Sequence, residues 1–260
     1  GYATPGEKCH GRTPSFLMKY IDKLCETAEN YNVPLQFFQI ANGLELSDVV
    51  NHLKEVISRG HAVDCHTYDH LNLANTSPEM LDKDLEKADK LFEEQLGLKS
   101  TVLRGPGGYK HKTLSEENQK IILKHGYKVV SGEVDYNMFK EDRNYAITSP
   151  SRGKPFFYST SLLEIPIQGW TDRMWFDNFK CIDSKAYEQW KIKYGHRPVP
   201  DGWCCPWTSQ DTLDEWIHYH FNCLNFAYKN RLTWTICWHP YSHYLHDPEN
   251  KMLPSLLDAA

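Results

Sequence analysis

In the stretch GHAVDCHTYDH, residues 60–70, His66 and His70 stand four positions apart with Asp64 and Asp69 beside them. Imidazole and carboxylate are the ligands a zinc-class cation takes, and a catalytic centre of that kind uses three protein ligands and keeps one position open. A spacing of four puts both rings on one side if the segment makes a helical turn. On spacing alone, two structural histidines are the plainer reading and a metal pair the sharper one. Three other words could do chemistry. RGPGGY holds Arg104, Pro106 and Gly108, and its arginine reads most plainly as a surface residue before a Gly-Pro turn. SGEVDYNMF offers Asp135. WTICWHPYSH presents His239 before Pro240, at the end of an apolar run.

These residues need elements to carry them. Thr13-Pro14 predicts a helix start, and Phe16, Leu17, Tyr20, Ile21, Leu24 and Cys25 follow at helical spacing. A strand over 35–40 ends at Asn42-Gly43. Ser47 is expected to cap a second helix with Val49, Val50, Leu53, Val56 and Ile57 on one face, closed by Gly60. The strand 61–65 then delivers His66. Thr76-Ser77-Pro78-Glu79 has the pattern of a capping box before a helix carrying Leu81, Leu85, Ala88, Leu91 and Phe92. Strand 101–103 delivers Arg104, a helix runs over 115–125, and strand 127–130 precedes Asp135. Residues 137–161 read as irregular, 162–165 as a strand, and 170–210 as a long excursion rich in Trp, Pro and Gly. A helix from about 211 places Leu213, Trp216, Ile217, Phe221 and Leu224 inward, and a last strand, 232–237, delivers His239. LPSLLDAA reads as the start of a further helix. Strands alternating with helices predict a parallel α/β sheet, with the chemically capable residues converging at the strands' C-terminal ends. No linker or repeat divides the chain, so residues 1–260 are expected to form one domain.

Bulk properties narrow the function. The 260 residues carry a net charge of −5, with Lys and Arg spread out, which argues against a nucleic-acid partner. No apolar run reaches the roughly 18–20 residues a membrane span needs. There are eight cysteines and no Cys-x-x-Cys pair, so free thiols and a cytoplasmic setting are expected. The eight tryptophans and fifteen tyrosines mostly suit core packing, while Trp170, Trp175, Trp203 and Trp238 are the better candidates for a sugar-stacking cleft. A homo-oligomer stays open.

The word GHAVDCHTYDH resembles the Gly-His-Glu-Ile-Gly-x-His-Thr-x-x-His word of the polysaccharide deacetylases, the NodB-homology or carbohydrate esterase 4 family. Gly60, His61, His66, Thr67 and His70 match. RGPGGY resembles that family's Arg-x-Pro word, SGEVDYNMF its Asp-bearing word with Tyr136 in place of Trp, and His239-Pro240 its closing histidine. LEIPIQGWTDRMWFDN resembles the allantoinase-like and peptidoglycan-deacetylase-like branch, where Asp172 falls on the loop aspartate.

The resemblance implies a distorted (β/α) barrel and hydrolysis of a carbon–nitrogen bond: deacetylation of an N-acetylated glycan, or cleavage of a small amide. It implies a divalent metal, zinc first, on His66 and His70. It gives His239 as general acid and Arg104 as the arginine that orients a catalytic aspartate. Asp135 and Asp172 complete the catalytic set, with Asp172 either holding His239 or a plain loop aspartate. Pro106, Gly108, Trp170, Trp175 and Trp238 stand along the substrate path. One departure is serious. The family opens on a strand ending in Asp-Asp-Gly, whose aspartates are general base and third metal ligand, and no Asp-Asp precedes residue 13. The expectation is that this strand and ligand lie upstream of Gly1, with substitution by Asp64 or Asp69 disfavoured. A catalytically inactive glycan-binding relative, or a domain that keeps only the barrel, are the alternatives.

Overall fold

A computed structural model describes residues 11–134, 154–172, 175–176 and 210–260. Six strands, β1 (Gln36–Gln39), β2 (Ala62–Cys65), β3 (Val102–Tyr109), β4 (Val129–Glu133), β5 (Phe156–Phe157) and β6 (Leu163–Glu164), form one sheet in the order β1-β2-β3-β4-β6-β5. Every pairing is parallel except that of β5 with β6. This is the expected α/β architecture, and among the described residues β1 and β5 stand at its edges.

Helix α1 (Ser15–Asn30) precedes β1, and α2 (Ser47–Ser58), α3 (Pro78–Leu91) and α4 (Glu116–Lys124) connect the first strands. Each buries a stripe at helical spacing, such as Leu17, Tyr20, Ile21, Leu24, Cys25 and Ala28 on α1. These stripes and the strands make the main core, with Leu103, Tyr127 and Val130 inside it. A second core gathers Trp170, Trp175, Phe176, Trp216 and Tyr219 around α5 (Gln210–Asn230). Helices α6 (Pro240–His246) and α7 (Met252–Ala259) close the described chain, the latter on the expected terminal segment.

Several expectations shift. Pro14, not Thr13, is the N-cap of α1, and Ser47 lies inside α2 behind the N-cap Leu46. On α3 the cap is Ser77 accepting from the Met80 N–H, so the predicted Thr76–Glu79 box is displaced by one residue. The buried face of α5 runs through Leu213, Trp216, Tyr219, His220, Cys223 and Ala227, rotated from the predicted one because His220 is part of it. Residues 232–237 form no strand. Their ties are to side chain and carbonyl instead: the Thr235 N–H donates to Gln168 Oε1 at 3.1 Å and its hydroxyl to the Pro166 carbonyl at 2.7 Å. Cys25, Cys65, Cys223 and Cys237 are unbridged, and no helix among the described residues is long and apolar enough to cross a membrane.

Candidate active site

His66 leaves the C-terminal end of β2, and the segment to His70 is a bend, not the helical turn the spacing suggested. Thr67 (φ 61°) and His70 (φ 58°) both take left-handed backbone, an uncommon conformation for side-chain-bearing residues that persists where the surroundings impose it. The imposition is visible. The Thr67 hydroxyl accepts the Leu71 N–H at 3.0 Å, and the Thr67 carbonyl accepts the Ala41 N–H at 2.8 Å. The buried Asp84 carboxylate, projecting from α3, accepts the N–H groups of Tyr68 and Asp69, each at 2.8 Å. Burial pushes the Asp84 carboxyl above its ordinary range, and those two N–H groups pull it back. The outcome is that the rings of His66 and His70 meet edge to face with centroids 4.9 Å apart.

The His66 ring is assigned by its partner. Its Nδ1 lies 2.8 Å from the Arg104 carbonyl oxygen. A carbonyl only accepts, so Nδ1 carries the hydrogen and the Nε2 lone pair of the neutral ring is left for a ligand. Burial, helped by His70, holds the His66 ring well below its ordinary titration range, in the neutral form a metal requires. Asp64 is turned to structural use, accepting from Gln36 Nε2 at 2.8 Å and the Ser100 hydroxyl at 2.6 Å. Asp69 accepts from Asn42 Nδ2 at 3.2 Å. Among the described residues no third His, Cys, Asp or Glu joins the two histidines in a metal-binding group.

Arg104 sits on β3 beside them. Its Nη1 donates to the Ser131 hydroxyl at 2.7 Å, while its buried Nη2 has no partner among the described residues. A guanidinium with an unpaired buried N–H is the natural counterpart of a carboxylate. Pro106 and Gly108 belong to β3, and Asn72 Nδ2 donates to both their carbonyls at 3.0 and 2.8 Å, tying β3 to the histidine bend.

His239 arrives from the other side as the N-cap of α6. Asp172, fully buried, binds it twice: Oδ1 to the ring Nδ1 at 2.8 Å and Oδ2 to the backbone N–H at 2.9 Å. Burial alone would raise the Asp172 carboxyl, but the His239 charge and hydrogen bonds outweigh it and hold the acid well below its ordinary range. The other side of the ring faces outward, since the His239 side chain is 39% exposed against 0% for Asp172. Trp238 stacks on His243 with centroids 4.5 Å apart.

Trp170 and Trp175 are buried in the aromatic core, 5% and 3% exposed, which corrects their assignment to an open stacking face. They pack edge to face on one another within the aromatic core around α5. Asp135 and Trp203 lie outside the described residues. Sequence reasoning missed Asp84, which reads as an ordinary polar helix residue until its helix is docked against the bend. His61, a match to the family word, is structural: its Nδ1 accepts the Leu35 N–H at 3.0 Å and its Nε2 lies 3.1 Å from Glu29 Oε1.

With bend, arginine and paired histidine–aspartate in place, the chain can be set against known proteins. Residues 14–130 match the family model described as Polysaccharide deacetylase, a likeness that covers just under half of the chain. Two curated relatives, both peptidoglycan-N-acetylglucosamine deacetylases of Bacillus cereus, align with it. One is 28% identical over 117 residues, covering 44% of this chain and 52% of the relative. The other is 23% identical over 139 residues, covering 54% and 48%. The chain thus spans about half the length of the curated relatives it matches. The crystal structure of a candidate polysaccharide deacetylase from Mycobacterium smegmatis superposes over 94% of this chain and 70% of its own at TM-score 0.62 and 16% identity. A second candidate, from Pseudomonas aeruginosa, covers 94% and 65% at TM-score 0.56 and 12% identity. At such identities these two structures speak for the fold alone.

Proposed function

We propose that the protein is a metal-dependent hydrolase that removes acetyl groups from an N-acetylated glycan. The observation carrying this reading is the His66 ring, buried, neutral and fixed by the Arg104 carbonyl so that Nε2 is left to a ligand beside His70. His66 and His70 would supply two ligands of a divalent cation, zinc first, with a third donor from outside the described residues. The cation would lower the pKa of a water towards about 7 and polarise the amide carbonyl. Arg104, with Nη2 unpaired, would orient the carboxylate that takes the water's proton. Asp135 remains a candidate member of the catalytic set. His239, held by Asp172, would protonate the leaving amine. Trp238, Pro106 and Gly108 would flank the sugar.

Metal retention tests this without relying on turnover. Zinc carried through dialysis is expected at about one per chain, and His66→Ala with His70→Ala should abolish it. Equal zinc in wild type and double variant would overturn the reading. A second reading, a glycan-binding relative without turnover, rests on the lack of a third ligand among the described residues. It predicts sugar binding with no acetate released.

A further inference from the structure

Beyond β3 the chain runs Lys110-His111-Lys112, all exposed. Lys112 takes left-handed backbone (φ 57°), and its N–H is pinned by Glu133 Oε1 at 2.8 Å. Glu133, buried at the end of β4, also receives His111 Nδ1 at 2.7 Å and the Tyr158 hydroxyl at 2.7 Å. Its two oxygens are therefore engaged by three donors. Strain in a residue bearing a side chain, locked by a buried carboxylate, is a common mark of a binding site. Here it borders a cavity of about 340 Å³ that Lys112, Gln119, Phe157, Tyr158 and Ser159 help to line, at the small end of the range that holds ligands.

The chemistry of the lining is specific. Phe157 is 69% exposed, a large apolar face left in water. Such a face can stack on the apolar C–H side of a sugar ring. Neither Lys110 nor Lys112 has an ion-pair partner among the described residues, a local positive spot on a chain of net charge −5. Lys is a flexible point charge suited to an anionic group. Position completes the case. β2, β3 and β4 are parallel, with Tyr109 in register with Glu133. The turn after Tyr109 therefore lies on the same rim of the sheet as His66, which follows β2.

We infer that the cavity beside Lys112 and Phe157 is a glycan subsite that takes a carboxylate-bearing sugar unit of the polymer whose acetyl group is removed at the histidine site. The inference rests on the glycan reading above for the polymer but not for the binding event. It is tested by chemical-shift titration of the full chain with two probes, N,N′-diacetylchitobiose and the acidic N-acetylglucosaminyl-N-acetylmuramic acid. The acidic probe should bind about fivefold more tightly, the scale of one exposed ion pair. Lys112→Gln, which keeps chain length, should erase the difference. Phe157→Ala should weaken both probes. Equal affinities, no response to Lys112→Gln, or no binding of either probe would overturn the subsite. Selective binding without any acetate release would sink the hydrolase reading and leave the subsite standing. Acetate release without selective binding would do the reverse.

Discussion

Asp172 and His239 make the most tightly specified contact in the site, because one carboxylate fixes both the ring and the backbone of the same residue. Two bonds to one residue set its position and its tautomer together, leaving Nε2 outside this contact. Asp172, held well below its ordinary range, stays ionised at any working pH. Asp172→Asn keeps the shape but removes that charge and one acceptor, so kcat should fall while KM stays near the wild type. His239→Ala should lower kcat by about 10²–10⁴-fold, the usual share of general acid catalysis. A kcat for Asp172→Asn equal to the wild type would show that the aspartate only packs.

At the scale of elements, the histidine bend depends on a helix it does not belong to. Asp84 reaches from α3 to the N–H groups that precede His70. Asp84→Ala should therefore weaken metal binding about tenfold, as the loss of an outer partner does, and zinc competition with a chelating dye measures it. Ser77→Ala, which removes the α3 cap, should cost about 1 kcal/mol in denaturant unfolding with the metal affinity unchanged. These elements also show what the sequence could and could not reveal. Apolar stripes on α1–α3 and the glycine ends of helices were legible, because periodicity reports local geometry. The words around His66, Arg104 and His239 were legible as candidates for chemistry. Asp84 and the double grip of Asp172 were not, because both depend on which helix or loop docks where. Residues 232–237 looked like a strand by composition, yet the Thr235 N–H goes to the Gln168 side chain and its hydroxyl to the Pro166 carbonyl, a choice made by tertiary packing. Trp170 and Trp175 misled for a related reason: loop aromatics can fold inward when a long helix offers an aromatic face.

Across the whole molecule, buried histidines give the fold a pH limit. His66, His220 and His243 are all held below the ordinary value of 6.5, each chiefly by burial. The folded state thus binds fewer protons than the unfolded chain below that value. Stability is full above about pH 6.5 and falls as pH drops through it, by up to ~1.4 kcal/mol per pH unit for each such ring. Asp84 and Glu164, raised chiefly by burial, run the other way, so a variant isolates the histidine contribution. His220 has both ring nitrogens buried without partners among the described residues, against Trp216 and Trp238. His220→Phe should raise stability at pH 7, since an unsatisfied buried polar group costs about 1–3 kcal/mol. It should also flatten the fall between pH 7 and 5.5. An unchanged slope in thermal unfolding would contradict a buried neutral ring.

The most direct test of the whole account is acetate release from an N-acetylated chito-oligosaccharide by the zinc-supplemented protein. The account predicts release that stops on chelation, returns with zinc, and is absent in His66→Ala. No release from the zinc-supplemented protein, or release indifferent to chelator and to His66→Ala, would contradict it.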